Sequence, residues 1–467
     1  MVTTSQHKRP HSIKIEFSEE TATSFAGLAL VERIASRLGL WPMLEKLLPE
    51  RKGEYQWIAI VKSVMAGLLS GARGTFATQD LREDEALLSL LSLDAAPEEV
   101  TVWRALEGLG ELARSGELSE AQELWARAIL AKSRRKDLLN LGFFPIFADG
   151  TVLEGSRRRE GTKYQKDKKP GLVWSTVFTG PLLGAQQLAE EGEGEQACIR
   201  RMLPSVIENV VRPLGLRRQA LVLADSLDGD EPTLDLLEGL NVHYIVGANK
   251  LKKTVETLQG VPDDLWLETG EDASRGWEES AVCVCWLQCN SWEKKRTLVG
   301  RRWKNKGEMF FNYSGVVTDL ETKTVKHLLK GSATYPEAIW RLYGSKMGLE
   351  TFYQDLLSDL GLHHPPCQEL KRNAGFYAVA TLAHTLAKAV DLIGCQDLRA
   401  ESASRKDGAK PRRARSRRMR LWSLRRRFFT LPGRIVRHGH TLKITLLGVG
   451  ETLRRQFEAI FASLSRC

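Results

Sequence analysis

Between residues 141 and 250 the chain alternates short apolar runs with turns and helical spacing, and this pattern constrains the fold more than any other feature. Apolar runs typical of strands occur at 143–148, 171–179, 182–188, 220–224 and 242–246. Helical spacing fills 195–211 and 231–240, on either side of the fourth run. The order strand, strand, strand, helix, strand, helix, strand predicts a mixed sheet flanked by helices, an α/β core.

The N-terminal region has a helical pattern instead. Apolar residues recur three and four positions apart over 26–48 and 55–69. Thr101 is a predicted N-cap before the segment 102–106. This pattern predicts a helical domain, which could read duplex DNA through a helix-turn-helix or serve as a scaffold or dimerisation unit.

Beyond residue 250 the helical pattern fades and then returns. Segments 281–289, 297–302 and 309–317 are predicted strands, helices resume at Tyr335, and 434–437 with 441–445 predict a hairpin. The sequence therefore predicts five parts of the chain. They are a helical N-terminal domain at 1–138, the α/β core in two parts at 139–250 and 335–395, a β-rich insertion at 251–334, and a basic C-terminal segment at 396–467.

Charge favours a polyanionic partner. The 467 residues carry a formal net charge of +10 at pH 7, and the sequence pI is about 9.2. Basic residues concentrate at 405–437, where Asp407 is the only acidic one. Self-repulsion should leave the first half of this stretch extended or disordered, and each phosphate it neutralises would steepen the salt dependence of binding.

Cysteine usage and hydropathy indicate a cytoplasmic protein. The seven cysteines are odd in number and lack a regular framework, which is typical of a reducing compartment. Cys283, Cys285 and Cys289 fit a strand better than a zinc site. The first ten residues lack the apolar core of a signal peptide, and the apolar stretch 375–395 is a predicted buried helix because it contains His384, Lys388 and Asp391.

Three carboxylates stand where a metal site could be built. Asp149 follows the apolar run 143–148, Asp225 follows 220–224, and Glu350 lies in the predicted helix 343–350. If the first two runs are adjacent parallel strands, both aspartates emerge at one rim of the sheet. Carboxylate oxygens are the ligands that Mg²⁺ prefers.

Each of these acidic residues has an alternative interpretation. Asp149 with Gly150 and Thr151 could form a turn. Asp225 competes with Asp228 and Asp230, although its place directly after the apolar run favours it.

The third carboxylate depends on helical spacing. Tyr343, Lys346 and Glu350 are spaced i, i+3, i+7 and share one helix face. Such a face offers a hydroxyl, a cation and a metal ligand together. It could equally be a solvated surface, since Lys and Glu are common on exposed helices.

At these residues the chain resembles the DDE transposases of bacterial insertion sequences, the cut-and-paste group with a ribonuclease-H-like fold. That group has an Asp-(Gly/Asp)-Thr motif, matched by 149–151, and a second aspartate at a strand end, matched by Asp225. Its third motif, Tyr-x2-Arg-x3-Glu-x6-Lys, aligns with Tyr343, Lys346, Glu350 and Leu357. The resemblance extends to 26–40 and 434–440, and the group inserts a β-domain before its third carboxylate.

The resemblance implies a fold, an activity and a cofactor. The expected fold is a ribonuclease-H-like mixed sheet with a β-rich insertion, a helical N-terminal domain and a basic C-terminal tail. The expected enzyme hydrolyses a DNA strand with activated water and then uses the 3′-hydroxyl to attack target DNA. Asp149, Asp225 and Glu350 would be catalytic and would hold Mg²⁺ or Mn²⁺ as two ions about 4 Å apart.

Partners follow from the same resemblance. They are double-stranded DNA, as the terminal inverted repeats of the element and as target, and a second copy of the chain in a homodimer on that DNA. No membrane is expected. The protein would lie in the bacterial cytoplasm, associated with the nucleoid.

Further residues are candidates for DNA contact. Predicted phosphate-binding residues are Tyr343, Lys346, Arg157, Arg158, Lys166, Lys168, Arg417 and Arg418. Trp292 and Trp303, in the insertion, are candidates for stacking on a flipped base, although tryptophan more often packs in a core.

Two departures from the motif leave other functions open. Lys346 stands where arginine is usual and loses the bidentate fork, and Leu357 replaces a lysine. Glu369 is the second choice for the third carboxylate. The alternatives are a ribonuclease-H-like nuclease without strand transfer and a catalytically weakened, transposase-derived DNA-binding protein.

Overall fold

The structure is a computed structural model of the 467-residue chain. It describes residues 21–163, 170–225, 230–248, 252–272, 274–329, 333–399, 418–439 and 441–467, without the side chains of Ala77 and His438.

The N-terminal region is helical, as its spacing predicts. Its helices are α1 (Ala29–Arg37), α2 (Leu40–Leu47), α3 (Trp57–Ser70), α4 (Glu85–Leu91), α5 (Glu99–Ser115), α6 (Glu117–Lys132) and α7 (Arg135–Leu138). Gly116, at φ 110°, joins α5 to α6 in the left-handed conformation that glycine adopts without strain. The predicted cap at Thr101 is wrong, because α5 begins at Glu99 and its N-cap residue is Glu98.

The strands between Phe144 and Gly247 match the predicted runs closely. They are β2 (Phe144–Glu154), β3 (Gly171–Thr179), β4 (Leu182–Leu188), β5 (Ala220–Ala224) and β6 (His243–Gly247), and a short β1 (Ala22–Thr23) precedes them. Helix α8 (Glu195–Val206) lies between β4 and β5, and α9 (Glu231–Gly239) lies between β5 and β6. The fold is therefore a mixed α/β fold.

The strand directions explain how two helical crossovers produce parallel neighbours. Strands β2, β3 and β4 are antiparallel in turn, and a two-residue turn at 180–181 joins β3 to β4. Strands β2, β5 and β6 are parallel, because helices α8 and α9 carry the chain back to the same end of the sheet.

The strands of the predicted insertion continue this same sheet. After α10 (Lys252–Gln259) come β7 (Leu267–Glu268), β8 (Trp277–Leu287), β9 (Arg296–Asn305) and β10 (Asn312–Thr318). The order across the nine strands is β4-β3-β2-β5-β6-β10-β9-β8-β7, with β10 antiparallel to β6. The predicted strand 309–317 begins too early, since Met309 and Phe310 are exposed and β10 starts at Asn312.

After the insertion the chain returns to helices. They are α11 (Thr322–Val325), α12 (Tyr335–Tyr343), α13 (Gly348–Gln354) and α14 (Leu370–Ala389). The segment Leu370–Gly394 is long and apolar enough to cross a membrane by length and composition, yet its most apolar 18-residue window is fully buried inside the protein. The prediction of a buried helix here is confirmed.

Helix α14 packs closely on the N-terminal helices. A Cβ atom on Gly110 of α5 would lie 2.0 Å from the Lys371 carbonyl oxygen, and one on Gly375 would lie 2.6 Å from the Leu106 carbonyl oxygen. Only glycine permits this approach, so α5 and α14 meet backbone to backbone.

The C-terminal part forms a small sheet and two helices. They are α15 (Leu421–Leu424), β11 (Gly433–His438), β12 (Thr441–Leu446) and α16 (Glu451–Ser465), with β1 pairing against β11. The predicted hairpin is confirmed by the register of β11 against β12. The predicted disorder of the basic tail concerns mainly 400–417, which lies outside the described residues.

A buried ion pair joins α14 to the helical turn after α13. Asp355 is 0% exposed and accepts a hydrogen bond from Lys388 Nζ at 2.6 Å and from the Leu421 amide at 3.1 Å. Burial alone would raise the pKa of Asp355, but His384 at 3.9 Å and the charge of Lys388 hold that pKa well below its usual range. The carboxylate is thus charged, and it links three segments of the chain.

We expect Lys388→Met to destabilise the protein by about 3–5 kcal/mol, because it leaves the Asp355 carboxylate buried without its main counter-charge. Lys371→Met is the control on the same helix. Its pairing with Glu107 and Glu111 is at the surface and should be worth less than about 1 kcal/mol. Urea unfolding measures both; equal losses in the two variants would contradict the assignment.

Candidate active site

Two aspartates emerge side by side from adjacent strands. The parallel ladder between β2 and β5 runs from Phe144–Ala220 to Ala148–Ala224. Asp149 and Asp225 are the next residues on the two strands. The conditional prediction that these strands are parallel neighbours is confirmed.

The environment of Asp149 differs from the prediction in one respect. Strand β2 does not end there but continues to Glu154, because Asp149 pairs with Thr176 across the antiparallel ladder to β3. The predicted strand end at Asp149 is therefore wrong. The alternative turn is wrong too, since Gly150 and Thr151 also pair with β3.

Asp225 directly follows β5, as predicted. Of its two competitors, Asp228 lies outside the described residues. Asp230 accepts a hydrogen bond from the Thr233 amide at 3.0 Å as the N-cap of α9 and forms an ion pair with Arg200. Asp230 therefore stabilises a helix start.

A single ammonium group joins the two aspartates. Lys346 Nζ lies 3.0 Å from Asp225 Oδ1 and 3.6 Å from Asp149 Oδ2. The Lys346 side chain is 12% exposed, so this positive charge is largely withdrawn from solvent. The sequence predicts a phosphate contact for Lys346, whereas in the structure its ammonium lies on the carboxylates.

Tyr343 binds the same carboxylate. Its hydroxyl donates a hydrogen bond to Asp225 Oδ1 at 2.9 Å. Burial and the negative charge of Asp225 raise the pKa of Tyr343 far above its usual range. The phenol is therefore protonated and holds Asp225 in one orientation.

The segment from Tyr343 to Glu350 is not one regular helix. Helix α12 ends at Tyr343, a 3₁₀ turn spans Gly344–Met347, and α13 begins at Gly348. The 3₁₀ turn changes the helical register, yet Tyr343, Lys346 and Glu350 all line the same pocket.

The pocket has a volume of about 420 Å³. Besides the three carboxylates, Tyr343 and Lys346, it is lined by Arg275, Arg301, Trp340, Gly344, Met347, Leu349 and Tyr353. Glu350 is exposed at its wall. Within the described ranges, no three His, Cys, Asp or Glu side chains are grouped closely enough to hold a metal ion.

The donor set nevertheless fits a divalent cation at the aspartates. Burial raises the pKa of Asp149, the Asp225 charge raises it further, and the Lys346 charge opposes both effects. A buried carboxylate beside a like charge is stabilised by any cation placed between them. Asp149 and Asp225 therefore supply hard oxygen ligands at a point that already attracts positive charge.

Tyr353 fixes the backbone at Asp149. Its buried hydroxyl donates to the Asp149 carbonyl oxygen at 3.0 Å and lies 2.7 Å from the Thr176 hydroxyl. Because Tyr353 is three residues beyond Glu350 on α13, it ties the helix of the third carboxylate to the strand of the first. Only this i+3 spacing could have identified Tyr353 in the sequence.

The predicted basic contacts have different surroundings. Arg157 and Arg158 are exposed on the turn that follows β2. Arg418 is half-buried and donates to the Asp137 carbonyl oxygen at 2.7 Å, and burial lowers its pKa to about 10. The described part of the chain does not include Lys166, Lys168 or Arg417.

The two predicted stacking tryptophans also differ from each other. Trp292 is 4% exposed and packs under Arg296, whose guanidinium carbon lies 5.1 Å from the ring centroid. Trp303 is half-buried and stacks on Trp277 with a centroid separation of 5.1 Å.

The two remaining motif positions have structural roles. Leu357 packs against the hydrophobic core. Glu369, the second choice for the third carboxylate, is the N-cap residue of α14 and pairs with Arg372 at 3.0 Å. Glu350 is therefore the glutamate at the pocket.

Comparison with known proteins gives only weak similarities, and these are to solved structures. No model of a known protein family matches the chain, and no curated protein matches it. Among solved structures, the chain is similar to the cryo-EM structure of a piggyBac transposase synaptic complex with hairpin DNA, at 11% identity and a TM-score of 0.37. That alignment covers 96% of this chain and 84% of the other. A similarity this weak defines neither the fold nor the activity of the chain.

We expect Tyr353→Phe to cost about 1 kcal/mol of stability, because the Asp149 carbonyl oxygen loses the closer of its two hydroxyl donors and keeps only the Thr176 hydroxyl at 3.3 Å. Tyr377→Phe is the matched control, since that buried hydroxyl donates to the Leu362 carbonyl oxygen at 2.6 Å, away from the pocket. Hydrogen exchange should quicken at 148–151 in Tyr353→Phe alone. Unchanged exchange there would rule out this positioning role.

Proposed function

We propose that this chain is a DNA transposase that uses a divalent metal to cleave a DNA strand and transfer it. The observation that carries the proposal is the pairing of Asp149 and Asp225 at the end of one parallel ladder, with Glu350 on the wall of the same pocket. Phosphodiester cleavage needs carboxylates held rigidly at one point, and adjacent strands provide that rigidity.

The proposed core is ribonuclease-H-like. Five strands in the order β4-β3-β2-β5-β6 have three antiparallel members followed by two parallel ones, with α8 and α9 as crossovers. This arrangement supports the proposal because it places Asp149 of β2 beside the carboxyl end of β5. The insertion strands β7–β10 then extend that sheet.

Each residue of the pocket would have its own role in the reaction. Asp149 and Asp225 would hold Mg²⁺ or Mn²⁺, and Glu350 would complete the site from α13. When bound, the ions supply positive charge that stabilises the attacking and leaving oxygens of an in-line displacement. Tyr343 orients Asp225, Tyr353 orients the strand at Asp149, and the single positive charge of Lys346 offsets part of the negative charge of the two aspartates.

The wider assignment follows from the same proposal. We propose that the substrates are the terminal inverted repeats of a bacterial insertion sequence and its target DNA, bound by a homodimer. Seven cysteines without a disulfide support a reducing compartment, and we place the protein in the cytoplasm with the nucleoid.

One observation favours a weakened relative that binds DNA without turnover. Leu357, where the motif has lysine, packs against the core and offers no charge to a phosphate. A cleavage assay at varied Mg²⁺ separates this candidate from an active enzyme. A joining assay separates the transposase from a nuclease, which cuts without transfer.

Asp149→Asn and Asp225→Asn should each reduce Mg²⁺-dependent cleavage of duplexes taken from the DNA that flanks the gene. Losing a metal ligand removes several kcal/mol of transition-state stabilisation, roughly a thousandfold in rate. Binding of the same duplexes should remain largely intact. Asp264→Asn, an exposed aspartate on a 3₁₀ turn, is the control, and undiminished cleavage by either test variant would defeat the proposal.

Lys346→Met should tighten the binding of Mn²⁺ measured by calorimetry without DNA. The ammonium competes with a divalent ion for the same two carboxylates, and unit charges about 4 Å apart interact by about 1 kcal/mol even in water, or about fivefold in affinity. Lys326→Met, at an exposed site, should leave Mn²⁺ affinity unchanged. Weaker Mn²⁺ binding by Lys346→Met would contradict the competition.

A further inference from the structure

Arginines and aromatic rings form part of the wall of the pocket that contains the aspartates. The guanidinium carbon of Arg301 lies 3.9 Å from the Trp340 ring centroid and 5.2 Å from that of Trp277. Arg275 lies over Trp277 at 4.7 Å. Arginine and indole faces therefore alternate along this wall.

Arg301 differs from the other arginines of its strand. Arg296 forms ion pairs with Glu231 and Glu238 at 3.3 and 3.0 Å. Arg302, the next residue after Arg301 and on the opposite face of β9, pairs with Asp263 at 2.6 Å.

Arg301 itself, among the residues that the structure describes, makes neither a hydrogen bond nor an ion pair with a carboxylate. Burial and the charge of Arg275 lower the pKa of Arg301 to about 10, while the charge of Asp272 acts in the opposite direction. A desolvated cation without a paired anion is costly, and stacking on two indoles offsets only part of that cost. The position is therefore one that a bound anion would stabilise.

The position of Arg301 is also fixed from the catalytic side. Trp340 is nearly buried on α12, its indole nitrogen donates to the Gly300 carbonyl oxygen at 3.4 Å, and its ring meets Tyr343 edge-on at 5.8 Å. Tyr343 in turn holds Asp225. The guanidinium and the two aspartates thus belong to one continuous set of contacts.

Charge balance indicates what the pocket accepts. Its three cations, Lys346, Arg275 and Arg301, face the three carboxylates Asp149, Asp225 and Glu350. Divalent ions on the carboxylates would leave an excess of positive charge, which an anionic group can neutralise. A planar guanidinium suits the paired oxygens of a phosphate.

We propose that Arg301 binds a phosphodiester of the DNA strand that lies beside Asp149 and Asp225, with Trp340 and Trp277 holding its guanidinium plane. This inference rests on the proposed function. It assigns a substrate contact to the insertion strands, which the sequence pattern had connected with DNA only through Trp292 and Trp303.

The first experiment measures the anion site without DNA. At low millimolar phosphate, where the general stabilisation of proteins by this kosmotropic anion is small, the melting temperature of the unchanged protein should be higher in potassium phosphate than in potassium chloride of equal ionic strength. Arg301→Gln should lose that difference. Arg212→Gln removes one positive charge from an exposed helical ion pair with Glu208. This control variant should keep the difference in melting temperature between the two salts.

The second experiment uses duplexes from the DNA that flanks the gene. Loss of one phosphate contact should lower the slope of log binding constant against log salt concentration by about one unit. We expect this in Arg301→Gln and not in Arg212→Gln. Arg301→Lys keeps the charge but not the planar fork, so it should keep the slope and bind more weakly; this variant also serves the test if Arg301→Gln fails to fold.

The outcomes separate the two proposals. If phosphate still raises the melting temperature of Arg301→Gln and its salt slope is unchanged, the inference is wrong, even if the unchanged protein cleaves DNA. Phosphate protection that depends on Arg301 in a protein without Mg²⁺-dependent cleavage leaves the anion site standing and overturns the transposase. An unchanged protein that phosphate does not protect also contradicts the inference.

Discussion

The parallel pairing of β2 with β5 is the constraint on which the candidate site depends. Its last paired residues are Ala148 and Ala224, so the register alone brings Asp149 beside Asp225. A slip of one residue would turn one of these carboxylates to the other face of the sheet. The buried apolar side chains of both strands fix that register, because each strand is covered on both faces.

Two lysines lie against the carboxylates of the site and of the core and offset their negative charge. Lys346 offsets part of the charge of the aspartates at the pocket, and Lys388 neutralises Asp355 in the core. Between these two ion pairs lies α13, which carries Glu350. Its position is therefore set from both sides, by the site and by the core, with the Tyr353 hydroxyl as a third anchor on the Asp149 backbone. A carboxylate on such a helix can be exposed to solvent and still have a fixed position.

The core strands were predictable because apolar runs bounded by turns carry a strong local signal. Segments 171–179, 182–188 and 220–224 were predicted with the bounds that the structure has. Asp149 shows the limit of that signal: the end of the apolar run at Ala148 suggested a strand end, but pairing with β3 carries the strand to Glu154. The 3₁₀ turn before Gly348 and the buried setting of Arg418 likewise depend on packing between distant segments. Such packing leaves no pattern in the local sequence.

The position of Arg301 in the pocket wall could not be predicted from the sequence for the same reason. Arg301 and Arg302 are adjacent in a strand and chemically identical, and both lie over aromatic rings, yet Arg302 also pairs with Asp263. Successive residues of a strand point to opposite faces, so the surroundings of each arginine depend on how β9 joins the main sheet through the pairing of β10 with β6. That pairing holds the insertion arginines in a fixed relation to β5 and Asp225. A sheet that spans both walls of a pocket can hold acidic and basic groups apart without a hinge, and a phosphate between them would meet both at once.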